Sequence, residues 1–408
     1  MKQKKHSKSH IIIENVQHPF SMKQTLSYWN QFRNHLILQI ETTNKTGFTI
    51  AALKLFFFSR RKYTMKDSAI KASCKIAKTG DIYYFCRKIK DNMKVIDLIN
   101  SSKKTAFSFE ILPPLKGNSI QKVYNVIDKL KEFDPKYINI TSHHSEYIYK
   151  TLPDGSIQKV NIRKRPGSVA IASAIQNKYG ITAVPHIICK GFTKDETEYA
   201  LIDLNFLGVY DLLLLRGDVK TLEATQNNTD YHEHATDLQE QVNNFNKGIA
   251  VDGSTFEANE TAFSYGMACY PEKHEEAPNM ESDIFYLKEK VKNGADYLVT
   301  QMFFDNEKYY SFVDRCRAEG ITVPIIPGIK PIVFKNQLTV LPKIFRSDIP
   351  EPFANELRKC NTDEEAKAVG VEWCIRQCKD LIAHGVPSLH FYTMMATDSV
   401  YKVAKEIY

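Results

Sequence analysis

Eight short apolar segments recur along this chain, separated by stretches whose apolar residues are spaced by three and four. The segments are TAFSFEIL (105–112), YINITSH (137–143), TAVPHIIC (182–189), YDLLLLRGD (210–218), FSYGMACY (263–270), YLVTQMFF (297–304), VPIIPGIK (323–330) and SLHFYTM (388–394). They are runs of Val, Ile, Leu, Phe and Tyr with little alternation, as expected of strands buried on both faces. The intervening stretches 119–133, 281–294 and 306–320 carry a helical period. Gly180, Gly208, Gly294, Gly320 and Gly385 each close such a stretch a few residues before an apolar run, the position just past a helix end that glycine favours. Strand–helix alternation over 105–394 predicts a parallel sheet. A doubly wound open sheet gives the same local pattern. The count of eight, and the lack of a Gly-x-Gly-x-x-Gly turn after any strand, favour a closed (β/α)8 barrel of the TIM type.

Polar or conformationally special residues gather near the C-terminal ends of these segments: Glu110, Thr141, His186, Asp218, Tyr270, Gln301, Gly328 and Tyr392. If the strands close, these residues form one ring at the face where barrel enzymes keep their active sites.

Charge divides the chain unequally. Residues 1–92 hold 18 Lys/Arg against 5 Asp/Glu, whereas 93–408 hold 37 against 42, so the overall +8 arises in the N-terminal part. The body is mildly acidic and offers no basic stripe for nucleic acid. Residues 1–92 show no clean helix or strand period, and read as a basic extension: a disordered arm, a small accessory segment, or the product of a start codon placed too early, the last being favoured. Met93 opens a short helix that leads into the first strand, so 93–408 is expected to be the catalytic barrel. The longest apolar stretch in the extension, 48–58, is too short to span a membrane and contains Lys54. The eight cysteines form no Cys-x-x-Cys pair, which argues against zinc and thioredoxin-like chemistry. Scattered thiols without a signal peptide suit a reducing cytoplasm.

Taken singly, the ring residues leave alternatives open. Glu110 at a buried strand end has the environment of a general acid near neutral pH, or is a structural carboxylate bonded to a helix N-terminus. Arg216, Gly217 and Asp218 could receive a phosphate or ring edge and a developing cation, or could be an internal ion pair. His186 is by default a satisfied core histidine. Tyr270 to His274 offers an aromatic, a charge and an imidazole on one turn, or is an ordinary polar loop. His232-Glu233-His234 has no third ligand at metal spacing and reads as solvated; no metal is expected.

Together the motifs are far more specific. Phe-Ser-Phe-Glu-Ile-Leu-Pro-Pro, Pro-His-Ile-Ile-Cys, Leu-Leu-Arg-Gly-Asp, Tyr-Pro-Glu-Lys-His-Glu-Glu-Ala, Thr-Gln-Met-Phe-Phe-Asp, Pro-Gly-Ile-Lys-Pro-Ile and His-Phe-Tyr-Thr occur in this order. The series resembles methylenetetrahydrofolate reductases of the bacterial, catalytic-domain-only type, over about 93–408. The resemblance implies a barrel that binds FAD. NADH or NADPH would reduce the flavin, and methylenetetrahydrofolate would then take the hydride to give 5-methyltetrahydrofolate for methionine synthesis.

Carried over position by position, Glu110 looks like the general acid and Asp218 like the carboxylate that stabilises the substrate cation. Gln301, Gln337 and Leu341 resemble folate contacts, and Thr141 and Gln301 nicotinamide contacts. Thr141, His186, Arg216, Gly217, Asp218, Ala235, Tyr270, His274, Ala277, Asp283 and Lys290 match flavin-binding positions. Two departures stand out. Ser142-His143 replaces the Tyr-Gly of many members, and Ala396 stands where many carry a folate-contacting arginine. The resemblance implies no regulatory domain after the barrel, hence no control by S-adenosylmethionine, and it allows a homo-oligomer. The runner-up readings are another flavin barrel of the proline-dehydrogenase type and a non-catalytic barrel that binds flavin or folate. The presence of Glu110, Asp218 and Gln301 weighs against the latter.

Overall fold

The computed structural model describes residues 36–44, 49–57, 93–143, 146–217, 230–258, 260–394 and 396–408. The chain divides into two units, Met1–Lys88 and Ile89–Tyr408. In the first, Leu36–Asn44 pairs antiparallel with Thr49–Phe57, in register from Leu36↔Phe57 to Asn44↔Thr49. No regular period is expected there from sequence. The two stretches, LILQIETTN and TIAALKLFF, are nonetheless rich in the Ile, Thr and Phe that pleated backbone favours.

The second unit is the expected barrel. Its parallel strands are β1 (Ala106–Ile111), β2 (Tyr137–Ile140), β3 (Thr182–Ile188), β4 (Asp211–Leu215), β5 (Ser264–Cys269), β6 (Tyr297–Thr300), β7 (Ile325–Ile326), β8 (Gly328–Ile329) and β9 (Ser388–Phe391). They run in the order β7-β6-β5-β4-β3-β2-β1-β9-β8. The two ends of this sheet are halves of one predicted segment, 323–330, parted at Pro327. Ile325–Ile326 pairs with β6 and Gly328–Ile329 with β9. Proline has no N–H to give to a ladder, so the strand changes partners there. The Pro327 carbonyl still accepts from the His390 N–H at 3.1 Å. One segment thus joins both edges, and eight predicted strands make the ring.

The predicted helices are present. Gln121–Leu130 continues as a 3₁₀ turn to Phe133; Met280–Lys292 and Asn306–Ala318 follow β5 and β6. The five helix-ending glycines all have positive φ, between 61° and 111°. The largest apolar cluster lies between strands and helices and includes Phe107, Ile127, Leu201, Val242, Leu298 and Leu381. A second fills the barrel interior with Tyr137, Val184, Leu213, Tyr297, Val299 and Ile326. Val95 and Ile99 join it from helix α1 (Val95–Ser101). The Val95 N–H donates to the buried Asp211 carboxylate at 2.8 Å, so the start of β4 fastens this helix. An antiparallel hairpin, Glu146–Thr151 with Ile157–Ile162, leaves the barrel after β2. It was not evident from the strand–helix pattern. Its return is tied to the loop after β1: the Lys116 N–H donates to Lys164 O at 2.7 Å, and Arg165 donates to Pro113 O.

Candidate active site

Side-chain alternation and register place one layer of polar groups at the C-terminal mouth. Tyr137 and Val184 face the interior, and successive residues of a strand point to opposite faces, so Asn139 and His186 face it too. Glu110 pairs with Asn139 in register. Phe391 pairs with Phe109 and Ile329 with Phe391. One row further, Glu110, Tyr392 and Lys330 therefore lie side by side on β1, just past β9 and just past β8. Tyr297 and Val299 face the interior from β6, and Gln301 immediately follows this strand.

Glu110 is 7% exposed. Burial pushes its carboxyl up to about 7, against the pull of the Lys330 ammonium. Its backbone carbonyl accepts from Thr393 Oγ1. Lys330 is 4% exposed, and burial lowers its pKa while Glu110 raises it. The Lys330 ammonium donates to Met394 Sδ at 3.4 Å. Tyr392 donates its hydroxyl to Thr300 O at 2.5 Å. Gly328 makes this packing feasible: a Cβ there would lie 2.3 Å from Thr300 O and 2.5 Å from the Tyr392 ring.

His186 is buried beside Asn139, with Nε2 3.3 Å from Asn139 Nδ2, and desolvation lowers its pKa to about 3. The ring is therefore neutral and accepts at Nε2 from the amide. This leaves Asn139 Oδ1 buried without a partner, an acceptor available to a donor on a ligand. Deeper, His390 Nδ1 meets Ser108 Oγ at 3.0 Å.

Cationic and N–H donors follow β4 and β5 in the chain. Arg216 follows β4; its guanidinium donates to Glu233 O at 3.1 Å and pairs with Glu276. Gly217 adopts φ +84°, a backbone conformation that glycine reaches without strain, with Ile188 and Lys190 3.4–3.5 Å from where a Cβ would be. The His274 N–H donates to Asp283 at 2.8 Å, and His274 Nδ1 accepts from the Glu276 N–H at 3.2 Å, which leaves the proton on Nε2. Desolvation lowers the His274 pKa, and its ring meets Tyr270 edge-on at 4.7 Å. Lys290, half-buried, donates to Ala268 O at 3.1 Å; burial lowers its pKa. Ala277 lies on the same turn, its carbonyl accepting from Lys273 at 2.5 Å. Ala235 opens the helix Ala235–Asn246. Thr141 Oγ1 meets His143 Nε2 at 3.1 Å, so His143 of the departing Ser142-His143 pair turns back onto the end of its own strand.

Gln301 accepts from the Met302 N–H at 3.0 Å. Gln337, which begins the helix Gln337–Phe345, accepts from the Val333 and Phe334 N–H groups at 2.7 and 3.2 Å. Leu341 is 3% exposed in an apolar cluster with Met302, Phe304 and Phe353. Ala396 is buried as the N-cap of the last helix. Asp218 lies outside the described residues. Within His232-Glu233-His234, expected to be solvated, His232 corrects the expectation: it is 6% exposed, with Nε2 2.5 Å from Gln241 Oε1 on the Ala235–Asn246 helix, whereas Glu233 and His234 are exposed. No His/Cys/Asp/Glu cluster suited to a metal occurs among the described residues. Lys330 and Asn139 are the members of the layer that sequence reasoning missed. The signal for Lys330 was a lone cation closing an apolar strand, and for Asn139 an amide inside one.

Such a parallel barrel, with a buried carboxyl, a neutral imidazole and clustered donors at its C-terminal mouth, is of the class that binds and transforms small molecules there. The chain belongs to the methylenetetrahydrofolate reductase family, whose model matches residues 94–408. It is 30% identical over 297 residues to the 5,10-methylenetetrahydrofolate reductase of Escherichia coli, covering 72% of this chain and 88% of that one. It is 29% identical over 318 residues to a probable methylenetetrahydrofolate reductase (NADPH) of Caenorhabditis elegans, covering 76% and 43%. It is 29% identical over 316 residues to methylenetetrahydrofolate reductase (NADH) 1 of Arabidopsis thaliana, covering 74% and 48%. The chain thus spans less than half the length of the worm and plant relatives.

Proposed function

We propose that this protein reduces 5,10-methylenetetrahydrofolate to 5-methyltetrahydrofolate, with FAD as cofactor and NADH or NADPH as hydride donor, in two half-reactions at one site. The observation that carries the reading is Glu110: a carboxyl buried at the mouth and titrating near neutrality, in a chain of this family. Opening the five-membered ring of the substrate breaks a carbon–nitrogen bond. The electron pair stays on N10 and needs a proton, which Glu110 supplies. The iminium cation left at N5 then accepts hydride at its methylene carbon, and the π pair of its carbon–nitrogen double bond returns to N5.

The donor set fits an anionic dinucleotide. Arg216, His274 Nε2 and Lys290 can share a diphosphate, Gly217 lets backbone approach a ring, and the unpartnered Asn139 Oδ1 can accept from a ring N–H. When bound, the flavin supplies the hydride chemistry, and the protein supplies position, proton and electrostatics. Gln301 is suited to hold both the nicotinamide and the pterin by its amide, Gln337 to meet the pterin, and Asp218 to face the substrate cation. Such a reaction would supply methyl groups for methionine synthesis in a reducing compartment.

The test is anaerobic absorbance spectroscopy. Purified protein is expected to show oxidised-flavin bands, to bleach with NADH or NADPH, and to recover them when methylenetetrahydrofolate is added. Protein that acquires no flavin spectrum when FAD is supplied overturns the cofactor assignment. Protein that bleaches but does not recover overturns the substrate.

A further inference from the structure

Lys330 is a buried cation in the mouth that the reaction as described leaves unused. An ammonium has three N–H donors to satisfy. Among the described residues its one hydrogen bond goes to the Met394 thioether at 3.4 Å, a weak acceptor. The side chain is 4% exposed, so bulk water does little to solvate it. The fold explains why the charge is there. Lys330 follows β8, which closes the ring by pairing with β9, and β9 pairs with β1, the strand that ends in Glu110. Two strand spacings, roughly 10 Å between backbones, separate the two residues. A lysine stem and a glutamate stem reach into that gap from either side of Tyr392.

We propose that Lys330 is a positioning residue for proton transfer from Glu110, its ammonium serving as counter-charge to the carboxylate that remains once the proton has gone. This rests on the reading of Glu110 as the acid. In the step concerned, the substrate carbon–N10 bond breaks, its electron pair takes the Glu110 proton, and the charges that appear are a carboxylate on Glu110 and a cation on the substrate. Hydride delivery then neutralises the cation, and Glu110 regains its proton from water. Lys330 favours the carboxylate at the moment it forms.

The other groups facing the pair do not supply this charge. Tyr392 is kept protonated by burial, its pKa well above the usual tyrosine value. His186 and His390, each desolvated to about 3, are neutral near pH 7. Asn139 is uncharged.

The experiment is the pH profile of the folate half-reaction, measured by stopped flow on prereduced enzyme, for Lys330→Met and Lys330→Arg. In the parent enzyme the rate is expected to fall as pH rises through the Glu110 titration. Loss of a nearby cation keeps Glu110 protonated to higher pH, so Lys330→Met should move that limb upward by about one unit or more. Lys330→Arg should hold it in place. The NADH half-reaction, which needs no proton from Glu110, reports whether the variant retains its cofactor and fold. Lys330→Gln answers the same question should the Met variant not fold. A limb in the same place for Met or Gln and parent overturns the proposal. A parent enzyme with no folate half-reaction overturns instead the functional reading on which it rests.

Discussion

At the residue scale, Glu110 illustrates how one carboxyl becomes an acid at neutral pH. A free glutamate would be ionised at pH 7, but burial at a strand end raises its pKa to about 7, so much of it stays protonated. The sign follows: the acid form is present below about pH 7 and is lost above it. The folate half-reaction should therefore slow as pH rises through 7, while flavin reduction by NADH stays flat. Glu110→Gln should lower the folate half-reaction by about 10²–10⁴-fold and leave flavin reduction nearly intact. Equal losses in both, seen by stopped flow, would remove Glu110 from the acid role. The strand-end rule located Glu110, His186 and Gln301 in the sequence because a parallel barrel has one functional face. It could not locate the influence of Lys330 on Glu110, which depends on β8 lying two strands from β1 and hence on closure of the ring. Nor could it tell that Arg216 is engaged by Glu276, a contact across 60 positions of chain.

At the element scale, the strands and helices were legible from apolar spacing, and the glycine stops marked their ends correctly. What was not legible was non-local. The seventh segment splits at Pro327 into two pieces with different partners, although its sequence reads as one strand. The hairpin after β2 alternates too weakly to stand out from a loop. The plug of the barrel floor depends on a contact between residues 95 and 211. Asp211 there is 5% exposed, and desolvation raises its pKa to about 7 despite the Val95 N–H. Its folded pKa lies above the unfolded value, so its stabilising share is complete below about pH 4 and lost as pH rises through 7. Asp211→Asn keeps a carbonyl acceptor for Val95 and removes the buried charge. Its melting temperature relative to the parent should rise between pH 5 and 8, by an amount on the order of a few kcal/mol in stability. A difference that does not change with pH, measured by thermal unfolding in matched buffers, would show that Asp211 does not titrate in this range.

At the scale of the whole molecule, the barrel and the N-terminal stretch carry different physics. Residues 93–408 contain every strand of the nine-stranded sheet, all the described site residues and the whole family match from 94 onward. Residues 1–92 carry a net +13 against −5 in the rest, and contacts divide the chain at Lys88–Ile89. The paired strands at 36–44 and 49–57 satisfy each other's backbone groups along one edge, and the barrel sheet closes on its own strands without them. A protein that starts at Met93 keeps helix α1, whose Val95 and Ile99 fill the barrel floor. It should therefore be soluble, bind flavin and turn over as the full chain does. Should the basic stretch bind an acidic partner, its loss would abolish only that salt-sensitive association. The check compares flavin content, melting temperature and turnover of the two lengths. Aggregation or loss of flavin confined to the shorter protein would make residues 1–92 part of the catalytic fold and move the boundary.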